Sequence, residues 1–142
     1  MKTIDDVDTA ARLRRAVTRM NRRLRQSALG GVSPAQASLL ASVDHLGRPT
    51  LGDLAAVEQI QPPSVTRLVR QLASDGLIVL VTDDVDRRAT RATLTSAGRA
   101  ELSSIRRRKT EFLESRLREL SPDDQAKVAD LVSVLEHLLG QA

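Results

Sequence analysis

At 142 residues the chain has room for one domain with a real core and not for two ordinary ones. It carries a net charge of +4, and 19 of its 22 basic residues are Arg, whose fork suits phosphate and guanine, although a GC-rich coding bias would give the same skew. Absent cysteine excludes disulfides, thiolate metal sites and thiol redox sensing, two histidines are too few for a His-based metal cluster, and a lone aromatic, Phe112, offers no base-stacking platform. No run has the apolar length to span a bilayer, and the opening Met1-Lys-Thr-Ile-Asp-Asp6 lacks a secretory core, so a cytoplasmic protein without membrane contact or cofactor is expected.

In chain order, Leu13, Val17, Met20 and Leu24 mark one stripe of a long first helix from about Asp8 to Ala28, ended by Gly30-Gly31. Between Asp8 and Asp44 there is no acid, while Arg12, Arg14, Arg15, Arg19, Arg22, Arg23 and Arg25 all fall there. Such a run is either a solvated face or a phosphate-facing one. Ser33-Pro-Ala-Gln36 is a capping box with proline at the first helical position, opening a second helix through Val43 that Gly47-Arg-Pro49 breaks. Thr50, with Asp53 three residues on, caps a short helix over Leu51–Val57. Pro62 opens another that Gly76 stops. Two β-prone runs, Leu77–Thr82 and Thr90–Thr95, flank Asp83-Asp-Val-Asp-Arg-Arg-Ala89. Thr95 caps a long helix from Ser96 to about Leu120, and Ser121-Pro-Asp-Asp124 starts a last one through Leu139.

Two helices joined by a tight turn and followed by a basic hairpin form the pattern of a winged helix-turn-helix, which suits a DNA major groove and its neighbouring minor groove or backbone. The expected fold is mainly α with a small β-hairpin, a single domain over 1–142. Its winged unit occupies 33–95, between dimerisation helices at 8–28 and 96–140. The winged unit has a small core of its own in Leu54, Val57, Val65, Leu68, Val69 and Leu72. The last helix carries Val128, Leu131, Val132, Val134, Leu135, Leu138 and Leu139, more apolar surface than one solvent-facing stripe needs. A second copy of the chain is the simplest partner for that surplus, with packing on its own domain the alternative.

On the fourth helix Val65, Leu68, Val69 and Leu72 point inward at helical spacing, with Pro62 and Pro63 at early positions where a missing amide donor costs little. Ser64, Thr66, Arg67 and Arg70 are left outward. Ser64 and Thr66 are short enough for base edges or a thymine methyl, Arg67 reaches guanine O6 and N7, and Arg70 suits a phosphate. In the hairpin loop, three acids argue against a purely electrostatic clamp. Asp86 reads as holding the loop, through its own backbone or an arginine, so that Arg87 and Arg88 project; Arg91 on the returning strand is a further phosphate candidate.

Leu54-Ala55, Pro63-Ser-Val-Thr-Arg-Leu-Val69, Leu72, Gly76-Leu-Ile78, Asp86-Arg-Arg88 and Leu94-Thr-Ser-Ala-Gly98, in this order and spacing, resemble the MarR family of transcriptional regulators over almost the whole chain. The resemblance implies a homodimer built from the first helix and the last two, binding a pseudo-palindromic double-stranded DNA. It also implies that Arg88 enters the minor groove with Asp86 positioning it, and it adds Pro63 to the expected DNA-binding set. It further implies a small anionic or phenolic effector that weakens DNA binding from a crevice between the dimer helices and the winged unit. Where the first helix, the second helix and the start of the long fifth helix meet, Arg15, Arg19 and His45 are the expected flanks of such a crevice; the alternative is that they face water or phosphate.

Three departures from the family pattern stand out. Gln59 occupies a turn position that favours glycine, Gln61 replaces the usual Ser or Thr cap, and Val79-Leu80 stand where relatives often carry basic residues. Absent cysteine excludes the peroxide-sensing branch, and absent Tyr and Trp count against a stacking-type aromatic pocket. Of the rival classes, an enzyme lacks any catalytic constellation. A helical module binding only a protein partner has no need for Arg87-Arg88 at a hairpin tip.

Overall fold

The computed structural model describes residues 6–28 and 30–140, so the extreme ends of the expected 1–142 domain lie outside the described residues, as does most of the opening hexapeptide. Six helices and one hairpin follow in the order α1 (Asp6–Ser27), α2 (Pro34–Leu46), α3 (Leu51–Glu58), α4 (Pro62–Ser74), β1 (Ile78–Thr82), β2 (Thr90–Leu94), α5 (Ser96–Arg118) and α6 (Pro122–Leu138). Among the described residues no helix is long and apolar enough to cross a membrane.

The helix starts form where the caps predict. Ser33 accepts from the Gln36 amide and Thr50 from the Asp53 amide, and in both boxes the third residue reaches back to the cap's own N–H. Asp53 is consequently held below the usual carboxylate range, first by the Thr50 amide and then by the Thr50 hydroxyl. Thr95 and Ser121 cap α5 and α6. Element ends shift by a few residues from the sequence pattern: α2 runs three residues past Val43 to Leu46, and α5 stops at Arg118 rather than Leu120. Leu77 and Thr95 lie outside the ladder, which pairs Ile78 with Leu94 and Thr82 with Thr90.

The core lies under the hairpin. Leu39, Leu40 and Val43 of α2 meet Leu54, Val65, Leu68, Val69 and Leu72 of the helix-turn-helix, closed by Ile78, Ala92 and Leu102. The helix-turn-helix therefore has no separate core: it shares one with α2, inside the winged unit, and with Leu102 of α5, outside it. Val57, expected inside, is 54% exposed. Leu51, Leu54, Ala55 and Glu58 share one face of α3, and Val57 lies well around the helix from it. The hairpin gains a third short partner, since Thr50 bridges Arg91 and the Ala92 amide donates to the Pro49 carbonyl at 2.9 Å. This ties the wing to the α2–α3 turn.

At the α3–α4 turn Gln59 takes φ 54 and ψ 42, the one described non-glycine residue in the left-handed region. The backbone thus keeps the left-handed conformation that glycine would favour, and the glutamine bears the strain. Relief of that strain, offset by glycine's greater freedom in the unfolded chain, should make Gln59→Gly more stable by about 0.5–1 kcal/mol. A urea midpoint that stays put or falls at unchanged slope would show that the left-handed residue costs nothing here.

Outside the winged unit, α6 has no buried residue, and Leu131, Val132, Val134, Leu138 and Leu139 are all exposed. Val17 and Met20 on the stripe of α1 are about half exposed as well. Just past the end of α1, Arg108 of α5 donates to the Ala28 carbonyl at 3.2 Å and lies 3.8 Å from Glu101.

Candidate nucleic-acid interface

The α4 face that carries chemistry is set by which residues the core removes. Val65, Leu68, Val69 and Leu72 are buried, so Pro63, Arg67 and Arg70 stand exposed and Ser64 and Thr66 half-exposed on the other side. Among the described residues neither Arg67 nor Arg70 pairs with an acid. Gln61 makes no side-chain cap; Pro62 and Pro63 have no N–H to cap, and the Ser64 and Val65 amides donate to the Gln61 carbonyl at 2.9 and 3.3 Å. The Thr66 hydroxyl donates to the Pro62 carbonyl at 3.1 Å, so its proton is spent within the helix. What Thr66 still offers outward is a methyl group and an acceptor lone pair.

The wing is organised by its acids. One Asp83 oxygen accepts from the Val85 amide at 3.1 Å, and the other from Arg91 Nε at 2.9 Å. Asp86 accepts from the Arg88 amide at 3.1 Å, so of the two routes open to it the loop uses the backbone. The Asp83 amide donates to the Ala89 carbonyl and the Ala89 amide to the Asp86 carbonyl. Arg87 and Arg88 are left exposed at the tip. Arg88 borders a groove whose far wall is Thr50, Leu51 and Gly52 at the start of α3.

Arg91, expected as a phosphate contact, is engaged elsewhere. Its guanidinium joins Asp83 on one side and donates to the Arg48 carbonyl at 2.6 Å on the other. Its register opposite Val81 sets it one pair from the loop, where it reaches the α2–α3 turn and braces the hairpin. Asp83 is held below the usual carboxylate range, first by the Val85 amide and then by Arg91. A carboxyl depressed in the folded state stabilises above its unfolded pKa of about 4, and that contribution disappears as pH falls through the lower folded value. The wing should therefore loosen on acidification below roughly pH 4. Faster Val85 amide exchange that appears in the wild type, and is already present at neutral pH in Asp83→Asn, would report it.

A crevice lies between the three helices expected to form it, but other residues line it. A cavity of about 250 Å³ between α1, α2 and α5 is lined by Asn21, Arg25, Ser38, Arg106 and Lys109 among others. Arg15, Arg19 and His45 do not line it. The α1 side of the cavity is supplied by Asn21 and Arg25; Arg15 lies more than a turn before Asn21, and Arg19, two residues before it, points to another side of the helix. His45 lies one turn beyond Ala41 on α2, past the point where Arg106 pairs with Asp44 at 3.1 Å. The residues that sequence reasoning missed, Arg25, Arg106 and Lys109, come from two distant segments, and only the packing of α1 on α5 brings them together.

Comparison with known proteins agrees with this geometry. Residues 32–90, the second helix through the wing, match the profile of the MarR family. The chain is 30% identical over 138 residues to an HTH-type transcriptional regulator of Mycobacterium leprae, covering 96% of each chain. A Pseudomonas aeruginosa protein described as a transcriptional regulator superposes with a TM-score of 0.82 at 33% identity, over 99% of both chains. A Staphylococcus aureus MepR mutant bound to an oligodeoxyribonucleotide shares the fold, with a TM-score of 0.69 at 22% identity over 92% of this chain and 97% of that one. With a winged helix-turn-helix inside a six-helix frame and relatives matched from end to end, the chain belongs to the MarR family of transcriptional regulators.

Proposed function

We propose that the protein is a homodimeric, sequence-specific repressor that reads a pseudo-palindromic duplex. The observation that carries this reading is the pairing, on one rigid core, of the open Arg67–Arg70 face of α4 with a wing in which Asp83 and Asp86 are consumed internally and whose two tip arginines pair with no acid among the described residues. Arg67 with Ser64 suits base edges in the major groove, Pro63 and Thr66 suit apolar contact with a thymine methyl, and Arg70 suits a phosphate. Arg88, its amide held by Asp86, suits a narrow minor groove, with Arg87 beside it on the backbone. The bound oligodeoxyribonucleotide of the MepR relative supports the assignment of partner. The dimer reading draws support from α6, none of whose residues is buried and most of whose apolar side chains are exposed, and from the half-exposed stripe of α1.

Selection of duplexes from a random pool by the purified protein, with sedimentation of the free protein at micromolar concentration, tests both parts. Half-sites about one helical turn apart and a dimer are expected. A monomer, or selected sites without two-fold symmetry, would refute the proposal.

The crevice supports a second element, release by a small anionic effector. Among the described residues Arg25 and Lys109 pair with no acid, and Leu102 and Ile105 supply an apolar floor. A carboxylate or phenolate with a compact apolar body fits that lining. Ligand binding would weaken the DNA complex only if one dimer geometry holds the ligand better than the other. Salicylate titrated against a fixed protein–DNA complex is the first probe, and an intact complex at millimolar salicylate with an unshifted melting temperature would refute it.

A further inference from the structure

Glu58 ends α3, one residue before the left-handed Gln59 and four before α4 begins. A carboxylate at a helix C-terminus faces the negative end of the helix dipole, so its own helix gives it no reason to be there. Its partners come from α2. Ser38 Oγ donates to one carboxylate oxygen at 2.8 Å and Ser42 Oγ to the other at 2.5 Å. The two serines are four residues apart, on one face of α2, and all three side chains are half-buried. Short hydroxyl–carboxylate bonds of this kind are charge-assisted and stronger than neutral ones.

We infer that Glu58, gripped by Ser38 and Ser42, is a positioning residue that fixes the recognition helix against α2. This rests on the reading of α4 as the helix that enters the major groove. The α3–α4 turn needs such a restraint. Gln59 is strained, and α4 lacks a side-chain cap at Gln61, so neither residue holds the turn by its own preference. The Ile60 amide, donating to the Ala55 carbonyl at 3.2 Å, closes α3 but says nothing about its angle to α2. The two hydroxyls hold both carboxylate oxygens, which fixes the end of α3 in position and in rotation. Ser38 also lines the α1–α2–α5 crevice, so the same grip joins the crevice wall to the reading head.

The test compares Glu58→Leu, the double variant Ser38→Ala with Ser42→Ala, and Glu58→Gln. The side-chain amide introduced by Glu58→Gln accepts from one hydroxyl and donates to the other, so the grip survives without the charge. Glu58→Leu and the double variant should lose at least tenfold in affinity for a duplex selected by the wild type, hold random-duplex affinity within twofold, and keep a cooperative melt. Glu58→Gln should stay within threefold of the wild type on both. Amide exchange over Gln59–Val65 should rise in the first two variants and not in the third, with no DNA present. Equal affinity of all variants for the selected duplex, an equal loss on selected and random duplexes, or unchanged exchange over Gln59–Val65 would overturn the inference. A wild type that selects no duplex would instead remove the reading of α4, and the exchange result would still decide the grip.

Discussion

Gly98→Ala is expected to destabilise the protein by about 2–3 kcal/mol, against the gain of up to about 1 kcal/mol that alanine ordinarily brings to a helix. A Cβ on Gly98 would stand 3.0 Å from the Leu77 carbonyl carbon and closer still to its oxygen, and the obstacle is backbone on both sides. Neither side can yield easily. The Leu77 carbonyl accepts the Thr95 amide at 3.1 Å, and Thr95 Oγ1 donates to the Gly76 carbonyl at 2.6 Å while accepting the Gly98 amide at 3.0 Å. The first turn of α5 is thus clasped to the end of α4 and the start of the hairpin. To admit a methyl group, α5 has to move away from Leu77, and Leu102, buried one turn further on, moves with it. Chemical denaturation would read the loss as a lowered midpoint, and DNA affinity should fall too, because the wing leaves the domain through this same joint. An alanine variant with a raised midpoint would mean that α5 and Leu77 do not approach as closely as the backbone indicates.

The same joint explains what was readable in the sequence and what was not. Gly98 stands out only within the family pattern, since the Leu77 backbone it meets is distant in sequence, whereas Gly76 and Thr95 are legible as a helix stop and a cap because those demands are local. Helix starts were legible for the same reason, since a Ser or Thr cap acts within four residues. Asp86 could be assigned to the loop because an Asp in a turn bonds its own backbone. Failures came where the partner was distant in sequence. Arg91 looked like a free cation until the β1–β2 register turned it toward Asp83 and Arg48. Val57 matched the helical period of Leu54 but sat on a helix of eight residues, too short for period alone to identify the buried face. Arg15, Arg19 and His45 had the right charge for an anion site, and nothing local reveals how far along α1 the crossing with α2 and α5 falls. Glu58 with Ser38 and Ser42 had no sequence signal at all: a serine pair four apart and a glutamate sixteen residues later are unremarkable until α3 folds back on α2.

The second large effect separates Arg67 from Arg88. On the proposed reading Arg67→Ala should cost on the order of 1–3 kcal/mol at one position per half-site, flattening base preference there while binding to unrelated duplex is nearly retained. Arg67 stands where a helix lying in the major groove presents its N-terminal half, and no acid among the described residues competes for it. Arg88→Ala should act differently. Its guanidinium stands on a loop whose shape is fixed by Asp83, Asp86 and Arg91 rather than by Arg88 itself, so its removal should leave the wing folded and the melting temperature unchanged. The loss should be largest on sites whose flanks are A·T-rich, because a narrow minor groove concentrates negative potential and rewards an inserted arginine through shape rather than base edges. Affinities of both variants, measured at one fixed salt concentration on a selected site, on the same site with G·C flanks and on random duplex, form the full test. Identical losses for Arg67→Ala and Arg88→Ala across all three duplexes would mean that both residues meet only phosphate, and the assignment of base reading to α4 and groove-shape reading to the wing would fail.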